Sequence, residues 1–86
     1  MTITVQRKDD PKIQITYNNC ELTCKNEYQT EYQGISNDES YTIVVDNYSL
    51  PEDRRGTVYE SRYNEETGEW EEYDMYWFFQ STMIVE

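Results

Sequence analysis

The chain has 86 residues, of which 18 are acidic, seven are basic and none is histidine, so its net charge at pH 7 is −11. This length allows one domain, and we treat residues 1–86 as a single domain. An acidic excess of this size repels nucleic acid and anionic lipid. It argues against direct binding to either and favours a basic partner.

The composition favours strands over helices. Alanine is absent and leucine occurs twice, whereas threonine, isoleucine, valine and tyrosine are common. Such residues fit a pleated, half-buried surface better than a helix. We therefore predict a mainly β fold, a small antiparallel sheet of five to seven strands with a C-terminal hairpin and at most one short helix. Nine tyrosines, two tryptophans and two phenylalanines supply large rings for its core.

The first residues of the chain predict two strands separated by a turn. Residues 2–6 and 12–17 alternate apolar and polar side chains, which indicates an antiparallel pair. Asp10-Pro11 between them favours a turn, and Asn18-Asn19 after them is a second turn signal.

Residues 20–33 are ambiguous. Their cysteines and tyrosines recur at even positions, as in a strand, and also at i, i+4 spacing, as on a helix. Threonine and asparagine weaken the helix, so we predict strands with a break near residues 25–26. On one strand face Cys20 and Cys24 lie about 13 Å apart, too far for a disulfide. Two cysteines without histidine also make a poor metal site, so we predict free thiols, no metal and no cofactor.

The most apolar segment, residues 41–46, is predicted to be a central strand. Residues 34–39 before it form a predicted polar loop. After it, Ser49-Leu-Pro-Glu-Asp has the form of a helix start, with Ser49 as the cap and acids in the first turn. Gly56 follows soon, so we predict one short helical turn.

The C-terminal third predicts a long hairpin with strands at residues 57–63 and 70–85, the second bending near residues 80–81. Its tip is Tyr-Asn-Glu-Glu-Thr-Gly-Glu-Trp, in which Asn64 starts the turn and Gly68 adopts a positive φ at no steric cost. These eight residues resemble the designed mini-hairpin chignolin, which has the same Tyr, Thr-Gly and Trp at this spacing. The resemblance implies local structure only.

Counting outward from an Asn64–Glu69 pair predicts the register of the hairpin. Tyr63 then lies opposite Trp70 and, further along, Val58 opposite Met75. Alternation divides the side chains between two faces. The face that becomes apolar away from the tip is assigned to the core: Val58, Tyr73, Met75, Trp77 and Phe79. The other face is assigned to the surface: Tyr59, Tyr63, Trp70, Glu72, Asp74 and Tyr76.

Seven acids lie within residues 60–74, where Arg62 is the only base. Carboxylates two apart on a strand face are about 6.6 Å apart and neighbouring strands about 4.8 Å, so a folded acidic sheet presents a rigid charge array like that of a nucleic acid. Interleaved tyrosines and tryptophans are residue types that dominate interface energies. The alternative is a solvated hairpin whose charge keeps the protein soluble. The predicted partner-binding residues are Tyr59, Glu60, Tyr63, Glu65, Glu66, Glu69, Trp70, Glu72, Asp74 and Tyr76.

No catalytic site is predicted. Without histidine the chain lacks the usual base of an acyl-transfer triad, its three glycines are isolated, and no calcium loop occurs. No segment has the apolar length of a membrane span, and the first residues lack the apolar run of a signal peptide. This pattern predicts a cytoplasmic protein.

In size, charge and the acidic cluster at residues 60–74, the chain resembles the small acidic inhibitors encoded by phages, which include anti-CRISPR proteins, uracil-DNA glycosylase inhibitors and other DNA mimics. The resemblance implies a non-enzymatic inhibitor on the basic nucleic-acid-binding surface of a larger protein, such as a CRISPR effector, a repair protein or a restriction protein. Two alternatives stay open. One is a bacterial immunity protein that neutralises a toxin such as a nuclease; the other is a structural protein whose strand edges pair with copies of itself.

Overall fold

Seven antiparallel strands form one sheet in the computed structural model, which describes residues 1–47 and 50–86. The strands are β1 (Ile3–Gln6), β2 (Gln14–Lys25), β3 (Gln29–Ser36), β4 (Glu39–Asp46), β5 (Arg55–Asn64), β6 (Glu69–Phe79) and β7 (Ile84–Val85). Their order is β6-β5-β4-β3-β2-β1-β7, so the first six form a meander and β7 adds beside β1. The predicted mainly β fold is confirmed.

Helical structure in the described residues is limited to two single turns of 3-10 helix, Pro51–Asp53 and Gln80–Thr82. The first lies where a short helical turn was predicted, although its predicted cap, Ser49, lies outside the described residues. The second lies at the predicted bend of the last strand and separates β6 from β7.

Two predicted turns have other structures. Asn18-Asn19 lies within β2, where Asn19 has a φ of 53° and the pairing with β3 shifts between Asn18 and Glu21. The two asparagines therefore contribute to a β-bulge rather than to a turn. The predicted loop at residues 34–39 narrows to Asn37-Asp38, whose φ angles of 51° and 64° fit a two-residue type I′ turn between β3 and β4. Asn and Asp tolerate this left-handed backbone better than most residues.

The long strand β2 joins two parts of the sheet. Its first half pairs with β1 and its second half pairs with β3, with the bulge between them. The sheet coils until the residues after β1 reach β6, where the backbone N–H of Lys8 donates to the carbonyl of Trp77 at 3.0 Å. The hydroxyls of Tyr17 and Tyr76 are hydrogen bonded to each other across the enclosed space. The sheet therefore has an inner face, which encloses the core, and an outer face.

Buried apolar side chains from β1, β2, β4, β5 and β6 fill the inner face. They are Ile3, Val5, Tyr17, Cys20, Ile43, Val45, Val58 and Phe78. The chain ends meet at one edge of the sheet, where Thr2 and Glu86 exchange two backbone hydrogen bonds of 2.7 and 2.8 Å beside the β1–β7 pair.

A β-bulge divides the β5–β6 hairpin. From the tip to the Tyr59–Asp74 pair, the strands follow the predicted register, but Val58 pairs with Tyr76 rather than with Met75. The extra residue in β6 exchanges its two faces beyond this point, because side chains alternate along a strand.

The core assignment of the hairpin is therefore wrong beyond the bulge. Tyr76 and Phe78 face inward, whereas Trp77 and Phe79 lie half-buried on the outer face. Met75 is the extra residue and is 43% exposed. Tyr73 lies on the inner side but past the end of the core, where it is 42% exposed. Of the five predicted core residues of the hairpin, Val58 is the one that is fully buried.

The two cysteines lie on opposite faces of the sheet rather than on one. Cys20 is buried, and its thiol donates to the carbonyl of Tyr17 at 3.3 Å. A second register shift in β2 places Cys24 opposite Glu31 on the outer face. Both thiols are free, as predicted, and burial raises the pKa of Cys20 above its usual value.

Gly56→Ala tests how tightly β5 packs against β6. Gly56 pairs with Phe78, and an added Cβ would lie 2.0 Å from the ring carbon Cζ of Phe78, so the ring would have to move. Overpacking a filled core costs about 1–3 kcal/mol, and we expect urea denaturation to find the free energy of unfolding lower by this amount. Ser61→Ala, on the same strand but outside the core, is the control, with an expected change below about 0.5 kcal/mol. If Gly56→Ala is as stable as the unsubstituted chain, this packing is refuted.

Candidate functional site

The β5–β6 hairpin extends beyond the end of the sheet. The pairing of β4 with β5 ends at Tyr41–Glu60, whereas β5 and β6 stay paired as far as Asn64–Glu69. We call residues 61–72 the finger. Its paired part, four residues on each strand, is about 13 Å long before the tip is added. Because β4 does not continue beside it, most of its side chains are exposed on both faces.

The tip of the finger is ordered by hydrogen bonds from Asn64. Its side-chain oxygen accepts the backbone N–H groups of Glu66 and Thr67 at 2.9 and 3.4 Å, and its carbonyl accepts the N–H of Gly68 at 2.8 Å. Gly68 has a φ of 71°, as the predicted turn requires. The acidic loop is therefore held in one shape instead of moving as a free linker.

Tyr63 and Trp70 form the predicted pair on the outer face of the finger. Their ring centroids are 5.4 Å apart and their planes are tilted by 58°. Such a cross-strand pair stabilises a hairpin by roughly 0.2–1 kcal/mol. The rings nevertheless stay 53% and 69% exposed, so most of their apolar surface remains open for contact.

Glu72 and Asp74 continue the row of Trp70 along the outer face of β6, with Tyr59 beside them on β5. Arg7–Asp9 and Arg62–Glu60 are ion pairs of the described residues, and no described cation is paired with Glu72 or Asp74. The acids of the tip are also exposed and outside both ion pairs: Glu65, Glu66 and Glu69.

Two predicted binding residues lie inside the fold. Tyr76 was placed on the surface, and that is wrong because the bulge turns it inward. Burial raises its pKa to about 12, and its hydroxyl is bonded to that of Tyr17. Glu60 is only 6% exposed and is paired with Arg62 at 2.7 Å. The remaining eight predicted residues are brought together on the finger and the adjoining outer face.

Glu60 belongs to a small polar cluster at the base of the finger. Its hydrogen bond with Arg62 is the main cause that holds the pKa of its carboxyl below the usual range. The hydroxyl of Tyr41 donates to Oε2 of Glu39 at 3.1 Å. Tyr41 and Glu60 form the last pair between β4 and β5, so this cluster lies where the finger leaves the sheet.

The inner face of the finger has its own hydrogen-bond network. The guanidinium of Arg62 lies 4.8 Å from the ring centroid of Tyr73. The Tyr73 hydroxyl donates to Oε2 of Glu71, and the side-chain amide of Asn64 donates to Oε1 of Glu71 at 2.9 Å. The Tyr73 hydrogen bond and then that of Asn64 lower the pKa of Glu71. This face is internally satisfied, and the outer face is the one left open.

Asp38 is a neighbour of the finger that was not among the predicted binding residues. With Tyr63 and Trp70 it lines a groove of about 490 Å³ between the finger and the β3–β4 turn. Its φ of 64° places it in the two-residue turn that was predicted as a longer loop. The signal that could have located it is an Asn-Asp pair between two alternating segments, since Asn and Asp are among the residues that occupy the positive-φ positions of type I′ turns.

Comparison with known proteins gives no match, whether with protein-family models, curated proteins or solved structures. Within the described residues, no group of three or more Cys, Asp or Glu side chains is arranged to hold a metal ion. None of the helical segments described above approaches the length and apolarity needed to cross a membrane.

Tyr73→Phe tests the hydrogen bond that orders Glu71. The bond favours the ionised carboxylate, so its contribution to stability is present above pH 4.5 and is lost as the pH falls through the lowered pKa of Glu71. We expect the variant to melt at a lower temperature than the unsubstituted chain at pH 7, with the difference shrinking below pH 4. Phenylalanine keeps the ring beside Arg62, so packing is preserved. A difference in melting temperature that is the same at pH 7 and pH 3 would rule out this role.

Proposed function

We propose that this protein is a non-enzymatic acidic inhibitor that binds the basic nucleic-acid-binding surface of a larger protein through its finger. The observation that carries the proposal is that unneutralised carboxylates and exposed rings share one projecting, hydrogen-bonded hairpin. Of residues 61–72, five are Glu and one is Arg, a net charge of −4. Arg62 is already paired with Glu60, so it does not neutralise the five glutamates of the finger.

The finger supports mimicry of a nucleic-acid backbone by its charge and its shape. The paired part of the finger has three Glu and one Arg, a net charge of −2 over about 13 Å, or one charge per roughly 6–7 Å, against about 1.7 Å along duplex DNA. Glu65 and Glu66 of the tip add two further charges. Glu72 and Asp74 on the outer face and the acids of the tip extend the array in two directions. A basic groove would attract this array by the same electrostatics that attract phosphates.

The exposed rings supply what charge alone does not. Long-range attraction speeds encounter and selects basic partners, whereas aromatic contacts at the centre of an interface carry much of its affinity. Tyr63 and Trp70 are already held against each other, so binding would cost them little conformational entropy. Tyr59 lies beside them at the base of the same face.

In its most specific form, the proposed protein is a phage-encoded anti-defence inhibitor of the anti-CRISPR kind. Its target would be a CRISPR effector, a repair protein or a restriction protein, and its place of action would be the host cytoplasm. The support is the resemblance in size and charge together with the geometry of the finger. No direct contact with nucleic acid or membrane is proposed, because both would repel the chain.

Self-association through strand edges has less support. One edge of the sheet is β6, whose base is contacted by Lys8 and whose remainder contains the bulge at Met75 and acids at Glu69, Glu71 and Glu72. A bulge and like charges on an edge strand both oppose pairing with another copy. The other edge strand, β7, is two residues long.

The double variant Glu72→Lys, Asp74→Lys tests the outer face of the finger. The experiment measures displacement of fluorescent duplex DNA from a panel of basic proteins: a CRISPR effector, a repair glycosylase and a restriction nuclease. We expect the unsubstituted chain to displace DNA from at least one of them. The double variant should need at least tenfold more protein, because repulsion replaces attraction at the contact.

The matched control is Glu52→Lys, Asp53→Lys, which changes the net charge equally but alters exposed acids in the 3-10 turn before β5. It should still displace DNA at nearly the original concentration. Both variants should keep the melting temperature, since all four side chains are exposed. The finger would be excluded as the site if the unsubstituted chain displaced DNA from none of the panel members, or if the two double variants lost the same amount of displacement activity.

Salt dependence tests the electrostatic part of the proposal independently. If the carboxylates drive binding, affinity for the panel member that binds should fall by at least about tenfold between 50 and 200 mM salt. The Glu72→Lys, Asp74→Lys variant should show a shallower dependence. Affinity that does not change over this range would exclude electrostatic mimicry.

A further inference from the structure

The aromatic pair of the finger and the groove beside it point to a more specific partner group. We propose that the Tyr63–Trp70 pair, together with the carboxylates around it, forms a binding site for an arginine side chain of the partner. This inference rests on the proposed function and names the chemistry by which the finger recognises its target. It is carried by the distribution of cations and rings over the described residues.

Cationic side chains of the protein stack on aromatic rings other than those of Tyr63 and Trp70. Among the rings of residues 1–47 and 50–86, four Lys and Arg side chains lie over aromatic faces, with nearest centroid distances from 4.5 to 5.7 Å. These stacked cations are Arg7 over Tyr76, Lys8 and Arg55 over Trp77, and Arg62 over Tyr73. Within the described residues, none lies over Tyr63 or Trp70. The Tyr63–Trp70 pair, the most exposed ring pair of the described residues, therefore presents its faces without a cation from that part of the chain.

Negative charge surrounds these open rings. Asp38 lines the groove on the side of the β3–β4 turn, and Glu72 follows Trp70 on the outer face of β6. Neither belongs to an ion pair within the described residues. Arg62 also lines the groove, but it is neutralised by Glu60 and its guanidinium lies over Tyr73. A cation that enters the groove from outside would thus meet an aromatic face and the carboxylate of Asp38, with Glu72 next to the groove on the outer face.

Guanidinium suits this cleft better than ammonium. Its plane stacks on an aromatic ring while its edge donates two parallel hydrogen bonds to a carboxylate, and it loses its hydration more readily. The groove of about 490 Å³ has room for such a side chain. Nucleic-acid-binding surfaces are rich in arginine, so the chemistry of the cleft and the electrostatics of the finger favour the same partner.

The test compares two peptides of equal charge, fluorescently labelled hexa-arginine and hexa-lysine, in anisotropy titrations at low salt. We expect the unsubstituted chain to bind hexa-arginine roughly threefold or more tightly than hexa-lysine. Trp70→Leu and Tyr63→Leu should abolish this preference while leaving hexa-lysine binding nearly unchanged. Trp70→Phe, which keeps an aromatic face and the cross-strand pair, should retain part of it.

Tyr28→Leu is the control, because Tyr28 is a tyrosine of similar exposure, 61%, at the opposite end of the sheet and outside the groove. It should keep the full preference for arginine. Melting temperatures identify any variant whose finger is disrupted, and Trp70→Phe keeps the test valid if the leucine variants unfold. Equal affinity for the two peptides, or a preference that survives loss of both rings, would overturn the inference.

The outcomes separate this inference from the proposed function. If both peptides bind equally, the binding weakens with salt and Glu72→Lys, Asp74→Lys abolishes it, the finger binds bases without selecting arginine. The arginine site is then refuted and the proposed function stands. If the unsubstituted chain binds neither peptide more tightly than this double variant does, both proposals fail.

Discussion

The β-bulge between Tyr59 and Val58 is the feature on which the rest of the hairpin depends. Without the extra residue in β6, the row of Trp70, Glu72 and Asp74 would continue through Tyr76 and Phe78 on one face. The strand would then have to bury carboxylates or expose the ring that fills the core. The bulge lets one strand serve the core at one end and present an acidic, aromatic surface at the other.

The coiling of the sheet separates positive from negative charge along β5 and β6. Lys8 reaches the outer face of β6 because the sheet curls around β2, and Arg55 stacks on Trp77 from the neighbouring strand. The base of the hairpin therefore holds cations, and the finger holds carboxylates. The cations at the base stabilise the closure of the sheet, because each covers an aromatic surface that would otherwise be exposed. The finger is therefore the part of the hairpin whose carboxylates remain available to bind a partner.

The sequence predicted the strand content, the tip of the hairpin and the register from Asn64 to Tyr59, since each depends on local alternation and turn chemistry. What it could not predict depends on single inserted residues. No local sequence feature identifies Met75 as a bulge residue. One extra residue in a strand moves every side chain beyond it to the opposite face of the sheet. Asn18-Asn19 had the composition of a turn, yet β1 on one side and β3 on the other hold it within a strand. Eight of the ten predicted binding residues lie together because they are on the tip side of the bulge, where the predicted register is right. Tyr76 was misplaced because it lies beyond the bulge.

The pairing of β1 with β7 has a consequence for how the chain folds. The finger closes a loop of four residues, so its strands should meet within microseconds, and the meander can grow from neighbour to neighbour. The pairing of Thr2 with Glu86 forms only a few hydrogen bonds but closes a loop of nearly the whole chain. The entropy cost of closing this loop is offset only after β1 to β6 have formed and brought the two ends together. We expect the acidic finger to exist before the terminal edge does, an order that pulse-labelled amide exchange during refolding would reveal.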